Sequence, residues 1–333
     1  MVKPLLLVVV LCDVTIIQMA FRLISLFFLT KFKWSRNNNE KRDMYILRSA
    51  FSPRYLQKIN IVKRIPSYRH FSSPSPINAS SKKTSVNPNE IAHFNGLASS
   101  WWDYNGPSRL LHLMNPLRHD FIARCYDSYP TNNTCATAHQ LRYLDVGCGG
   151  GIFAESAARL SNVKNVTAID PSLDVLTVAR AHARRDPSLT GKLEYRNASI
   201  EDLPKPASTT DQYHVLTLFE VIEHISYPAS FLEQCTKFVR PGGWIIMSTI
   251  ARTWLSWFTT ILVAEYGLRI VPPGTHNWSS FINADELKNW FMDQRGWSKP
   301  VVSGVVYIPG IGWKFVNGSE KIGNYFFGIR REI

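Results

Sequence analysis

Between Met44 and Asn89 the chain has no aspartate or glutamate. Cysteine is also scarce: Cys12, Cys125, Cys135, Cys148 and Cys235 form an odd set with no C-x-x-C pair. That argues against a disulfide framework or a zinc site and fits a reducing compartment. No internal repeat is visible. The net charge of +13 invites a nucleic-acid reading, but its distribution removes it. Up to Asn89, 15 Lys and Arg stand against Asp13, Glu40 and Asp43, and beyond it 23 stand against 22 acids. The basicity therefore belongs to the leader, and the body is expected to bind no nucleic acid.

The leader carries two signals. Leu5–Thr30 is apolar and long enough to span a bilayer. Asp13 and Arg22 interrupt it, each costing about 2.5–3.5 kcal/mol near a membrane centre. Residues 1–43 are read either as an anchor or as an extension upstream of a working start at Met44. Residues 44–89 read as a mitochondrial transit peptide and disordered linker. Arg48, Arg54, Lys58, Lys63, Arg64 and Arg69 alternate there with apolar residues, and serines crowd the end. Arg69-His70-Phe71 before Ser72-Ser73 resembles a matrix-protease cleavage site. The alternative is a solvated basic tail.

From Glu90 onward, apolar runs alternate with helical periodicity. Strands are expected at Arg142–Val146, Val166–Asp170, Leu193–Asn197, Val215–Phe219 and Trp244–Thr249. Helices are expected near Ile152–Leu160, Leu173–Arg185 and Ala229–Val239. This alternation predicts an α/β domain, a parallel sheet with helices on both faces. Ligands then bind beyond the carboxyl ends of the strands, at the topological switch point.

A glycine-rich loop follows the first strand, in LDVGCGGGIF. It fails the dinucleotide fingerprint, because the sixth position from Gly147 is Ile152. No Gly-Lys-Ser/Thr follows either, so a phosphate loop is excluded. What stands is D-x-G-x-G-x-G, from Asp145 through Gly147, Gly149 and Gly151. The spacing resembles motif I of class I S-adenosylmethionine-dependent methyltransferases. That resemblance implies a Rossmann-like, seven-stranded, mostly parallel sheet. A bare backbone lets the donor approach, and Asp145 can meet its ammonium. Asp170, ending the second strand, suits the two ribose hydroxyls. Asn197-Ala198-Ser199, ending the third, is where such enzymes meet the adenine, with Ser199 the candidate and Asn197 where many have aspartate. Cys148 is a nucleophile or a small packing residue.

Five stretches, the glycine loop among them, are similar to ubiquinone biosynthesis O-methyltransferases, across Glu90–Ile333. They are FNGLASSWWDYNG, LHLMNPLRHDFI, LDVGCGGGIFAES, FEVIEHI and AEYGLRIVPPGTHNW. The resemblance implies methylation of catechol-type hydroxyls on polyprenylated aromatic intermediates, polyprenyl dihydroxybenzoate and demethylubiquinone. It implies a peripheral enzyme on the matrix side of the mitochondrial inner membrane, in a multisubunit biosynthetic complex. Arg118 would contact the donor, where a guanidinium suits its carboxylate. Phe219, where relatives often have methionine, would edge the adenosine pocket.

Glu220, Glu223 and His224 follow the fourth strand. On a helix, positions i, i+3 and i+4 share one face, so they would converge. The resemblance implies a divalent cation there, usually magnesium, lowering the pKa of the catechol oxygen. Zinc or manganese would suit the imidazole. Without metal, His224 serves as general base with Glu220 beside it. A third reading is a solvated helix face with His224 as packing.

Between about 251 and 282 lies an insertion with Trp254, Leu255, Phe258, Ile261, Leu262, Tyr266 and Ile270 near helical spacing. It is read as a membrane-docking segment for the greasy substrate, or as a lid helix on the core. Trp101, Trp102 and His112 are expected to cap the substrate pocket, or to be core. Two other functions stay open: a small-molecule methyltransferase of another pathway, and a catalytically silent lipid-binding scaffold.

Overall fold

Strand residues of alternating direction build this fold from two apolar layers. The computed structural model describes residues 84–129, 140–252, 281–308 and 310–332. The readings of the extension, of the basic segment up to residue 83 and of the insertion at 253–280 lie outside the described residues.

The described residues open on α1 (Pro88–Leu97) and α2 (Arg109–Asp127). Strand and helix then alternate: β1 (Leu141–Val146), α3 (Ile152–Ala158), β2 (Val163–Asp170), α4 (Leu173–Ala183), β3 (Leu193–Asn197), β4 (Tyr213–Phe219), α5 (Pro228–Thr236) and β5 (Val239–Ile250). The C-terminal part adds α6 (Ala284–Met292), β6 (Val301–Ile308), β7 (Gly312–Phe315) and β8 (Asn324–Arg330). All five expected strands form. β3 has the expected ends, whereas β5 starts earlier, at Val239.

One sheet runs in the order β3-β2-β1-β4-β5-β8-β6-β7. The first five strands pair in parallel, and β8, β6 and β7 pair antiparallel. Among the described residues the sheet has eight strands rather than the expected seven. The extra one is β7, an edge strand made by a tight turn after β6. There Ile311 N donates to Ile308 O at 3.0 Å, and Gly310 and Gly312 take φ of +83° and +91°. Chain order reverses between β1 and β4, so the crevice lies at their carboxyl ends.

Period-two alternation divides the core. Leu144, Leu216, Leu218, Ile245, Met247 and Phe327 face one side, where Phe231 and Leu232 of α5 and Leu287 and Phe291 of α6 cover them. Tyr143, Val215, Trp244, Ile246 and Phe326 face the other, under Phe121 and Cys125 of α2 and Phe153 and Ala157 of α3. Helices thus cover both faces, as expected.

The approach of α2 to β8 is close. A Cβ on Gly328 would collide with Cys125 Sγ and lie 3.2 Å from Ile246 Cδ1 and Phe121 Cε1. Overpacking of such a site costs about 1–3 kcal/mol. Gly328→Ala is therefore expected to lower the melting temperature by several degrees in a calorimetric scan; an unchanged melting temperature would show that α2 sits more loosely.

Candidate active site

The glycine loop folds back over the end of β2. Gly147 N and Cys148 N both donate to Ile169 O, at 2.8 and 3.0 Å. Gly149 N donates to Asp170 Oδ2 at 3.0 Å. Gly147, Gly149 and Gly151 all take left-handed φ, of +70°, +53° and +86°. Glycine is the residue that enters this region without cost.

Side chains also press on the bare faces of the loop. A Cβ on Gly147 would lie 2.6 Å from Val221 Cγ2. Trp101 occupies the place of a Cβ on Gly149 and on Gly150, and the Tyr195 hydroxyl does so at Gly151. Cys148 packs beside the α2–α3 layer, and burial holds its thiol well above the usual range, so it is a packing residue.

Trp102 pins the same loop. Its Nε1 donates to Gly150 O at 2.9 Å, and its ring stacks on His182 with centroids 3.4 Å apart. His182 Nδ1 donates in turn to the fully buried Glu155 at 2.8 Å. His112 Nε2 donates to Trp101 O at 2.9 Å. Trp101 and Trp102 thus lie on the glycine loop, and Trp101 is a buried member of the apolar cluster there.

Around the loop stand the other expected donor residues. Asp145 Oδ1 accepts from Thr217 Oγ1 at 2.6 Å. Asp145 Oδ2 and Arg118 Nε are buried without a hydrogen-bond partner among the described residues. Buried polar atoms are rarely left so, which marks this end of β1 as a place for a polar ligand. Burial pushes the Asp145 carboxyl up to about 7, against the Thr217 hydrogen bond and the Arg118 charge. A cationic ammonium alongside would favour its ionised form. The Arg118 guanidinium lies 4.8 Å from the centre of the Phe219 ring. Phe219 also meets Phe153 edge-on at 4.7 Å, so it is a buried platform for Arg118 on the α2–α3 side.

Asp170 holds two backbone donors, Gly149 N on Oδ2 and Ser172 N on Oδ1 at 2.8 Å. A carboxylate has about four lone-pair sites, which leaves room for ribose hydroxyls. Burial raises its pKa despite these bonds. Asn197 Nδ2 donates to Asp170 O and Pro171 O, tying β3 to β2. The Ser199 hydroxyl donates to Asp202 Oδ2 at 2.6 Å and caps a short turn.

The acidic group after β4 departs from expectation. Glu220, Glu223 and His224 are not on a helix. Glu220 takes φ +57°, and only one 3₁₀ turn, Ile222–His224, follows. The cause is the end of β4: Glu220 N donates to Ser248 O of β5 at 3.1 Å, which extends strand pairing where a helix would have begun. Ser248 Oγ donates to Glu220 Oε1 at 2.6 Å, and Thr249 Oγ1 donates to Glu223 Oε2 at 2.8 Å. His224 Nδ1 donates to Glu90 Oε2 at 2.8 Å. Burial, then the Glu220 charge, raises the Glu223 pKa. Among the described residues no three His, Cys, Asp or Glu side chains form a group that would hold a metal ion. As placed, the three are turned to separate partners and are not a ready cation site. They are not a solvated face either, because Glu223 is buried.

Sequence reasoning missed Glu90, Thr217, Ser248 and Thr249. No spacing links position 90 to 224, and Thr and Ser in apolar strands look like filler. The three hydroxyls share one signal: each precedes or occupies the carboxyl end of a strand next to the switch point.

Comparison with known proteins agrees with this geometry. A family model described as a methyltransferase domain matches residues 101–299. The mitochondrial ubiquinone biosynthesis O-methyltransferase of Candida albicans is 41% identical over 289 residues, 74% of this chain and 86% of that protein. Its counterpart from Schizosaccharomyces pombe is 42% identical over 251 residues, 75% and 86% of the two chains. Among solved structures, the plantazolicin methyltransferase BpumL, in complex with a desmethyl analogue and S-adenosylhomocysteine, superposes with a TM-score of 0.50. It is 16% identical, over 74% of this chain and 97% of that one, and shows the fold.

The Trp101 contact yields a prediction. Gly150 has no unusual φ, so Gly150→Ala acts through Trp101 alone. It is expected to weaken S-adenosylhomocysteine binding at least tenfold by calorimetry; unchanged affinity would mean that the indole yields freely.

Proposed function

The chain belongs to the ubiquinone biosynthesis O-methyltransferase family, and on that premise we propose that its acceptors are catechol-type hydroxyls of polyprenylated aromatic rings. It is an S-adenosylmethionine-dependent methyltransferase. The observation that carries the reading is the pair of unsatisfied buried atoms, Asp145 Oδ2 and Arg118 Nε, beside the left-handed glycine loop. Asp145 takes the donor's ammonium and Arg118 its carboxylate, with Gly147 and Gly149 along its length. Asp170 takes the ribose, and Ser199 and Phe219 bound the adenosine end.

The reaction moves a methyl group from sulfur to oxygen. The O–CH₃ bond forms as the S–CH₃ bond breaks, and the sulfonium charge is cancelled. A catechol is mostly protonated at neutral pH, so its proton must leave. His224 takes that proton, with the Glu220 carboxylate beside it stabilising the charged imidazole. Burial disfavours a charged His224, but the Glu90 hydrogen bond and the charges of Glu223, Glu90 and Glu220 outweigh it and raise its pKa. Holding donor and acceptor in line supplies much of the remaining acceleration.

The finer reading adds a divalent cation on Glu220, Glu223 and His224. It asks Glu220 and Glu223 to loosen from Ser248 and Thr249, and the transfer above does not depend on it. The same proposal places the enzyme on the matrix face of the mitochondrial inner membrane, within a biosynthetic complex, after removal of the leader up to about residue 71. Its supports are the names of the yeast relatives and the basic, acid-free composition before Asn89. The segment 251–282 would then meet the membrane through its Trp and Phe residues.

Three measurements follow. His224→Gln is expected to lower kcat about 10²–10⁴-fold on a short-chain prenyl catechol, with donor affinity kept; near-normal turnover would remove His224 from the chemistry. On the cation reading, EDTA lowers the rate at least tenfold and magnesium, manganese or zinc restores it; an indifferent rate eliminates the cation. Replacing Trp257 and Phe258 by Ser should reduce liposome binding with short-chain activity retained, and equal binding would defeat the membrane role.

A further inference from the structure

The helix that carries Arg118 brings a second polar group to the glycine loop. Among the described residues six buried side-chain nitrogen or oxygen atoms lack a hydrogen-bond partner, and Asp145 Oδ2 and Arg118 Nε are two of them. A third is Asn115 Oδ1. Asn115 stands on α2 three residues before Arg118, so the two share a helix face, about 4.5 Å apart along the axis. Asn115 Nδ2 donates to Ile152 O at 3.4 Å, and Ile152 is the first residue of α3, directly after Gly151. One turn before Asn115, His112 bonds to the carbonyl of Trp101, whose indole rests on the loop. One turn after it, Arg118 lies close enough to Glu220 and Asp145 for both charges to act on it. Asn115 thus stands between the indole and the guanidinium, where the loop becomes a helix.

Its amide can point only one way. A carbonyl oxygen accepts and never donates, so the side that Asn115 presents to Ile152 O must be its NH₂. Ser156 makes the same demand. Its hydroxyl proton is given to Phe153 O at 2.8 Å, which leaves its lone pairs for His119 Nε2 at 2.7 Å and Asn115 Nδ2 at 2.9 Å. Reversing the amide would set its oxygen against two oxygens with no proton to give. Oδ1 is therefore an acceptor that no N–H or O–H meets. Buried acceptors are rarely left so.

We propose that Asn115 binds the methyl donor directly, its Oδ1 accepting a hydrogen bond from the ammonium of the donor's amino-acid end. The inference rests on the donor site proposed above, in which Asp145 meets that ammonium and Arg118 the carboxylate. An ammonium carries three N–H groups, and Asp145 Oδ2 answers one of them. A second acceptor is needed beside it, and a neutral one serves best. Asp145 is already a buried acid, and another ion there would cost more to bury. An amide oxygen supplies the acceptor without the charge. The three orphaned atoms then recognise an α-amino acid: two acceptors for its ammonium and a guanidinium for its carboxylate. An adenosine that lacks this end would meet none of them. An asparagine that only ties α2 to α3 would use Nδ2 alone.

The test compares two ligands by calorimetry on the full-length chain. S-adenosylhomocysteine carries the amino-acid end, and methylthioadenosine keeps the adenosine and the sulfur without it. Asn115→Ala is expected to weaken S-adenosylhomocysteine about tenfold or more, with methylthioadenosine within about twofold of wild type. Asn115→Ser keeps a small polar side chain beside α3 but is too short to reach the same point, and should give the same ratio. The ratio of the two affinities decides even in a variant that is partly unfolded, because unfolding weakens both ligands alike. Ser156→Ala removes the partner of Nδ2 and leaves Oδ1 in place, so S-adenosylhomocysteine should bind it within about threefold of wild type. Unchanged S-adenosylhomocysteine affinity in the Asn115 variants overturns the proposal. Equal loss for both ligands does so too, as does a loss in Ser156→Ala as large as that in Asn115→Ala. A wild-type chain that binds neither ligand sinks the donor site itself and this proposal with it. A wild type that binds both, beside Asn115 variants that match it, sinks the role of Asn115 alone.

Discussion

The indole of Trp101 rests on Gly149 and Gly150 more closely than any residue with a Cβ would permit. Much of the site depends on that contact. It presses the turn after β1 against the end of β2, where Gly149 N meets Asp170. It brings α1 and the turn after it over the crevice, since Phe94, Ala98 and Trp101 form one apolar cluster with Ile152 and Val175. Two helix N-termini, those of α3 and α4, are thereby held beside one loop. A side chain on either glycine would force the cap off the loop before it reached any ligand. Bareness here serves the protein's own packing at least as directly as it serves the donor.

Charge makes a second constraint. Arg118, Asp145, Glu155 and Glu223 are all buried. Burying an ion costs several kcal/mol unless partners compensate. Glu155 is compensated by Arg159 and His182, and Glu223 in part by Thr249. Arg118 and Asp145 are compensated less completely: Arg118 Nε and Asp145 Oδ2 are buried without a hydrogen-bond partner among the described residues. On the donor site proposed above, a zwitterionic ligand would relieve both at once. This difference separates Asp145 from the other buried carboxylates, and no motif in the chain displays it.

The parallel half of the sheet is legible because β1, β2 and β4 are apolar runs closed by glycine or acid; β3, the polar edge strand LEYRN, nonetheless has the expected ends. Edge strand β7 was not, since Gly312–Phe315 is four residues whose pairing depends on a two-glycine turn rather than on pattern. Asp145, Gly147, Gly149 and Asp170 were readable because a loop and a strand end place them in sequence order. Glu220, Glu223 and His224 were found as residues but misplaced in geometry. Spacing of three and four implies a shared helix face only if a helix forms, and the pairing of Glu220 N with Ser248 O prevents it. Trp101 and Trp102 are expected to cap a pocket or to be core, and nothing local shows that they lie on the glycine loop.

The Glu90–His224 contact has the same meaning under either account of the chemistry. If His224 is the base, a carboxylate on Nδ1 keeps Nε2 free and stabilises the imidazolium that forms. If His224 binds a cation, the same carboxylate on Nδ1 is the usual second partner that fixes the ligating nitrogen. The two accounts differ in what Glu220 and Glu223 do. As base helpers they stay with Ser248 and Thr249; as ligands they must turn toward one point. Glu220 already sits in a left-handed conformation that a non-glycine residue holds only when its surroundings impose it. Returning to an extended backbone would release the Ser248 bonds and swing its carboxylate. The hydroxyls of Ser248 and Thr249 on β5 thus hold both carboxylates of the acidic turn in the arrangement described.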